Sequence, residues 1–372
     1  MAGPLDDLLK LAIERGASDL HLKVGNYPVL RIDGKLVPLS EQPRCSAEMA
    51  VAAAFSVMNN RQKDRFRERN EIDLSYGISG VGRFRVNVFQ QRGTIAIALR
   101  IIPTRIRNFA ELHLPAVLDR LAQEPRGLIL VTGTTRSGKS TTMAAMIDYI
   151  NSNRGGHVVT IEDPIEYLFR DKRSLINQRE VGTDTESFPE ALRSAMRQDP
   201  DVLMVGEMRD YETISTGLIA AETGHLVLTT LHTTDAPETV NRIISFFPPY
   251  QHQQIRLQLA SILKGVISQR LIARADGQGL VPAVEVMVST PTVCEYIIEP
   301  KKTRALHDVI AAGASQYGMQ TFDQSLMDLY GRGLVTLDEA LLWCTNPHNF
   351  ALRVRGIEST ADQSWSMTDA KV

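Results

Sequence analysis

The chain has 372 residues, 43% of them hydrophobic, and its 41 Lys and Arg nearly balance 43 Asp and Glu, leaving a net charge of −2. That length suits roughly two or three domains with a sizeable core, and the balanced charge gives no bulk attraction to nucleic acid or an acidic membrane. No signal peptide opens the chain and no apolar run approaches the ~18 residues of a membrane span. Cys45, Cys294 and Cys344 are too scattered for a disulfide framework or a four-cysteine zinc site, so a reduced, soluble, intracellular protein is expected.

Residues 5–15 place their apolar side chains on one helical face, closed by Gly16. Segments 18–24 and 28–39 alternate apolar and polar residues, with Asp33-Gly34 as a hairpin turn. A helical region follows over 47–68, and 73–76, 82–91 and 94–102 read as three more strands. Residues 1–102 are therefore expected to form a small α+β domain on one antiparallel sheet. A linker over 103–115, with Pro103 and Pro115 and no periodicity, leads into strand–helix alternation over 116–290, the rhythm of a doubly wound parallel sheet. The strands expected there are 128–132, 158–161, 202–205 and 226–230. Helix starts carry capping boxes at Ser187/Glu190, Asp235/Glu238 and Thr336/Glu339. Residues 291–356 read as an all-helical satellite and 357–372 as a flexible tail.

Between the first of those strands and its helix stands Gly133-Thr134-Thr135-Arg136-Ser137-Gly138-Lys139-Ser140, followed by Thr141. It matches the phosphate-binding pattern G-x-x-x-x-G-K-[ST] at every fixed position. A strand, a tight glycine loop and a helix N-terminus turn several backbone N–H groups onto one anion, and the helix dipole favours negative charge there. A nucleoside triphosphate is expected on Gly133 to Thr141, with Lys139 at the β- and γ-phosphates and the Ser140 hydroxyl on Mg²⁺.

Other chemistry-bearing residues cluster at strand ends. Glu162, Asp163 and Glu166 follow a buried strand at the edge where open α/β sheets place their active sites. A carboxylate there orients a water or holds Mg²⁺ through water, the plain alternative being a solvated acidic loop. The apolar strand 202–205 ends in an acid, the Walker B arrangement, with Glu207 as the Mg²⁺ carboxylate and Arg209 as its structural pair. His225 and His232 bracket the strand 226–230. With no Cys or third His at ligand spacing, they are either hydrogen-bonded in place or sense the γ-phosphate or a subunit interface. In the first domain Arg83, Arg85, Arg92 and Arg100 are either solvated strand residues or fingers lent to a phosphoryl-transfer site.

Residues 133–142, 160–167, 197–210 and 224–234 resemble the Walker A, Asp, atypical Walker B and His boxes of the secretion ATPase superfamily, in its pilus-retraction branch. In the first domain Ala17-Ser18-Asp19-Leu20-His21-Leu22 and Arg83-Phe84-Arg85-Val86-Asn87 match as well. The resemblance implies an α/β chain with a PAS-like N-terminal α+β domain, a linker, and a RecA-like P-loop ATPase domain with a helical C-terminal extension. It implies a homohexameric ring that hydrolyses ATP with Mg²⁺ at subunit interfaces. Glu162 and Glu207 are then the catalytic acids, His225 and His232 couple nucleotide state to domain movement, and Arg85 and Arg100 are the fingers. The implied work is retraction of type IV pili from the cytoplasmic side of the inner membrane. A membrane platform protein is the docking partner, pilin is acted on indirectly, a paralogous ATPase is a further partner, and nucleic acid is not one. An accessory or scaffold ring subunit and a ring ATPase exporting DNA or effectors are the other readings. Two departures stand out: Arg136 replaces the family's glycine within the loop, and residues 294–301 (CEYIIEPK) stand where retraction ATPases carry A-I-R-N-L-I-R-E.

Overall fold

Leu5, Leu9 and Ala12 share the buried face of α1 (Pro4–Glu14), and the chain leaves that helix through Gly16 at φ +66, a left-handed backbone that costs glycine nothing. The computed structural model describes residues 4–32, 34–103 and 105–357; the tail expected at 357–372 lies, beyond Ile357, outside them. The chain divides into two compact units, the first up to Arg105 with Glu166–Leu168 added, the second Ile106–Ile165 with Phe169 onward.

In the first unit β1 (Asp19–Lys23), β2 (Val29–Ile32) and β3 (Lys35–Pro38) precede α2 (Ala47–Ser56) and α3 (Asn60–Arg69), and β4 (Glu71–Ile78), β5 (Gly82–Gln91) and β6 (Thr94–Ile101) follow. The six strands form one antiparallel sheet in the order β3-β2-β1-β6-β5-β4, the α+β arrangement expected. Period-two alternation buries Phe84, Val86 and Val88 of β5 with Ile97 and Leu99 of β6, each contributing about 2 kcal/mol of apolar burial. The helical region read as one stretch is two helices. Asn59 interrupts it by capping α3 in a reciprocal box with Gln62.

The second unit begins with buried Phe109, Leu112 and Leu114, so most of the segment read as a linker belongs to this unit's core. Then come α4 (Val117–Ala122), β7 (Gly127–Thr132), α5 (Lys139–Asn153), β8 (His157–Glu162), β9 (Leu175–Glu180), α6 (Phe188–Ala195) and β10 (Val202–Val205). They are followed by α7 (Tyr211–Glu222), β11 (Leu226–Leu231), α8 (Ala236–Ser245), α9 (His252–Ile262), β12 (Leu263–Ala273) and β13 (Leu280–Val288). The sheet order is β13-β12-β7-β11-β10-β8-β9, parallel throughout except for the β12–β13 hairpin.

Three of these strands were not expected. β9 carries only Leu175 and Ile176 as apolar residues, which an edge strand tolerates, and β12 and β13 are apolar runs that suit a buried helix equally well. Helices α10 (Pro291–Ile298), α11 (Leu306–Ala312), α12 (Ala314–Tyr317), α13 (Phe322–Gly331), α14 (Leu337–Trp343) and α15 (Pro347–Val354) complete the satellite. Ser187, Asp235 and Thr336 each accept the amide three residues on, as read from sequence. The reciprocal half of the box forms at none of the three among the described residues: Glu238 turns to the N–H and hydroxyl of Thr234, and Glu339 accepts from Trp343 Nε1. No helix among the described residues is long and apolar enough to cross a membrane.

Candidate active site

β7 delivers the chain to its C-terminal edge at Thr132, and α5 begins at Lys139 after six intervening residues. The loop between them is shaped by two glycines. Gly133 has φ +145, and a Cβ there would lie 2.5 Å from both the Gln269 carbonyl oxygen and Ser137 Oγ, so no side chain fits. Gly138, at φ +92, is the helix cap. Lys139 is buried, and its Nζ donates to the Gly133 and Thr134 carbonyls at 2.7 and 2.9 Å. Ser137 Oγ is buried with no hydrogen-bond partner among the described residues. Thr134, Thr135, Arg136 and Ser140 are exposed, and Thr141 is half-buried. A glycine-shaped cradle, an orphaned hydroxyl and a helix N-terminus fit a polyphosphate. Beside it a cavity of about 450 Å³, lined by His113, Leu114, Thr141, Thr142, Leu271 and Pro282 among others, has the volume of a nucleoside site.

The same sheet edge collects the carboxylates. Gly206 N–H bonds to the Ile161 carbonyl, and Thr230 Oγ1 donates to the Gly206 carbonyl, so the ends of β8, β10 and β11 are level. With strands about 4.8 Å apart, Glu162 stands one strand from Glu207, and Glu207 about 10 Å from the start of the phosphate loop. Glu162 is buried, and its Oε1 accepts from Thr160 Oγ1 at 2.7 Å and Gln178 Nε2 at 3.1 Å. Glu207 is clamped: Oε2 pairs with Arg209 at 2.5 Å, and Oε1 lies 3.0 Å from His232 Nε2. Arg209 is thus the structural pair that the sequence suggests. A Mg²⁺ in such a site would take most of its ligands from phosphate and water, and the exposed Ser140 hydroxyl and the Glu207 carboxylate are the oxygens of this edge that would face it.

His225 lies apart from the acids. It precedes β11 whereas His232 follows it, about 20 Å away at the opposite end of the strand, and its Nδ1 lies 2.9 Å from the Ala220 carbonyl at the end of α7.

In the first unit Arg85 and Arg100 are direct partners across β5 and β6, and Asp19 and Arg31 continue the same row on β1 and β2. Arg100 Nε bonds Asp19 Oδ1 at 3.0 Å, and Arg31 Nε lies 3.8 Å from the other oxygen. Burial alone would raise the Asp19 carboxyl, yet the Ser18 hydroxyl and Arg100 guanidinium hold it below the ordinary aspartate value.

Two site residues escape a sequence reading. Gln269, on β12 beside β7, donates to Thr142 Oγ1 at 2.9 Å, and its buried Oε1 has no partner among the described residues. Glu285, wholly buried on β13, accepts the Ala236 N–H at the start of α8, just past the His box, at 2.9 Å. Its other oxygen makes no hydrogen bond among the described residues and faces His307 Nδ1 at 3.7 Å. Burial pushes this carboxyl up to about 7, against the opposing pull of His307 and the Ala236 N–H. A carboxyl raised on folding contributes stability that is fully present below about 4.5 and is lost as pH rises through about 7. Glu285→Gln is therefore expected to flatten the pH dependence of unfolding. Relative to the variant, the parent should lose on the order of 2–3 kcal/mol between pH 4.5 and 8 in denaturant titrations. Parallel curves would remove Glu285 as the titrating group.

A phosphate loop opening the helix after the strand β7, with two acids at the ends of neighbouring parallel strands, defines a P-loop nucleoside triphosphatase of the RecA-like class. A family model described as "Type II/IV secretion system protein" matches residues 3–323. The type IV pilus retraction ATPase PilT of Pseudomonas aeruginosa is 44% identical over 93% of this chain and 99% of its own length. The type IV pilus ATPase PilU of the same organism is 40% identical over 98% of this chain and 94% of its own. A crystal structure of the pilus retraction motor PilT with bound ADP superposes with a TM-score of 0.85 at 46% identity, covering 94% of this chain and 98% of that one. The chain belongs to the type II/IV secretion system ATPase family.

Proposed function

We propose that this chain is an ATP-hydrolysing motor that powers retraction of type IV pili, working as a homohexameric ring against the cytoplasmic face of the inner membrane. What supports this reading is the extent of the likeness: it runs over nearly the whole length of a retraction ATPase, so both units are shared and not the nucleotide fold alone. The ring would dock on a membrane platform protein, act on pilin through it, and accept a paralogous ATPase as a further partner.

In this reading Lys139 and the loop N–H groups hold the phosphates. Ser140 and Glu207 would hold Mg²⁺, which when bound offsets charge on the β- and γ-phosphates. Glu162, fixed by Thr160 and Gln178, orients the attacking water and takes its proton. The water oxygen bonds to the γ-phosphorus while the bond to the bridging oxygen breaks, leaving the electron pair on ADP. His232, against Glu207 and a few residues before the Asp235 cap of α8, relays the change at the γ-position to that helix. Arg85 and Arg100 serve as fingers for the adjacent subunit's site. His225 takes no part in the chemistry.

The test is a deletion strain of the source organism. Retained or excess surface pili with loss of twitching is the expected result. A bald strain would make the chain an assembly motor, and normal piliation with normal twitching would make it an accessory subunit.

A further inference from the structure

The phosphate loop carries a long cationic side chain where its backbone favours none. Arg136 adopts φ +66, a left-handed conformation that disfavours any residue with a Cβ. Backbone strain of this kind persists where surrounding structure enforces it, and it concentrates at ligand clamps. The Arg136 side chain is exposed and makes no hydrogen bond or ion pair among the described residues. The other cations at this sheet edge are engaged: Lys139 on the Gly133 and Thr134 carbonyls, Arg209 on Glu207. Glu162 and Glu207 add negative charge close to where a triphosphate brings more.

We propose that Arg136 is a built-in clamp on the terminal phosphoryl group, an arginine finger supplied by the same chain that supplies the phosphate loop. The inference rests on the reading of this loop as an ATP site. Arg136 lies three residues ahead of Lys139, at the turn of the cradle, so its guanidinium is tethered within one side-chain length of the loop's anion. As the γ-phosphorus gains the water oxygen and loses the bridging oxygen, charge grows on the bridging oxygen left on ADP and on the equatorial oxygens. A planar fork of donors answers that charge at two oxygens at once, which an ammonium cannot do. Lys139 then supplies ground-state binding, and Arg136 supplies contacts that strengthen in the transition state.

Glycine gives this inference a clean test, because it is the residue this φ prefers. Arg136→Gly relieves the backbone, so a loss of turnover in that variant cannot come from strain. The expected result is ADP affinity within about threefold of the parent. Affinity for ADP with aluminium fluoride, which mimics the phosphoryl group in flight, should fall at least about 30-fold, with kcat down roughly 100-fold at little-changed KM. Arg136→Lys should recover only part of the loss, and the melting temperature of Arg136→Gly should stay level or rise. Turnover and aluminium-fluoride affinity at or above the parent's in Arg136→Gly would overturn the clamp while leaving the ATP site standing. A parent chain that binds no adenine nucleotide would instead overturn the site reading itself, and the clamp with it.

Discussion

Glu207→Gln is expected to bind ATP within a few-fold of the parent and to lose turnover by at least ~100-fold. The amide keeps the shape of the carboxyl and still offers Arg209 one oxygen, so the pocket should stand. What disappears is the charge, and with it the acceptor facing His232 at 3.0 Å, which becomes an amide free to donate. Lys139→Ala separates the other half of the mechanism. It removes the buried ammonium at the head of α5 and should weaken ATP binding by about 100-fold or more, or ~3 kcal/mol, in calorimetric titration. Binding and chemistry should therefore fail independently in the two variants. Normal steady-state turnover in Glu207→Gln would take that residue out of the mechanism, and unaltered binding in Lys139→Ala would take the ammonium off the phosphates.

What was legible in the sequence is what depends on few neighbours. The phosphate loop is local: its glycines, lysine and serine are contiguous, and the strand before and helix after it are set by their own periodicity. The acids at the ends of β8 and β10 could be read for the same reason, since Glu162 closes one short apolar run and Glu207 follows another across a single glycine. Gln269 could not be read that way. Its role comes from β12 pairing in parallel with β7, and nothing in the run of apolar residues around it announces that partner. His225 and His232 could be read as bracketing β11, but that His225 rests on the Ala220 carbonyl at the end of α7 could not. The row Arg85–Arg100–Asp19–Arg31 lies between these cases. Arg85 and Arg100 were visible and Arg31 was not, and that one buried carboxylate anchors Arg100 follows only from strand register. The linker was misjudged because Phe109, Leu112 and Leu114 bury themselves without any regular spacing.

That anchored row sets up a decisive expectation about shared sites. Asp19 engages Arg100 through Nε, leaving the outer guanidinium nitrogens of a side chain that is 69% exposed. Arg100→Ala in every subunit should reduce ATPase turnover on the order of a thousandfold, the usual worth of an arginine finger. Loss of the guanidinium also removes the main cation beside Asp19, so the variant must be shown to assemble and to melt normally before its rate is interpreted. The informative experiment mixes subunits. Lys139→Ala chains keep the finger and lack the phosphate charge, whereas Arg100→Ala chains have the reverse defect. If Arg100 serves the neighbouring subunit, random rings from equal amounts contain intact sites at roughly a quarter of their interfaces, and activity should reappear in that proportion. If Arg100 serves its own chain, no mixture contains a complete site and the rate stays at the floor. Rings of full size that remain inactive at every mixing ratio would leave Arg100 acting within its own chain, or holding Asp19 alone.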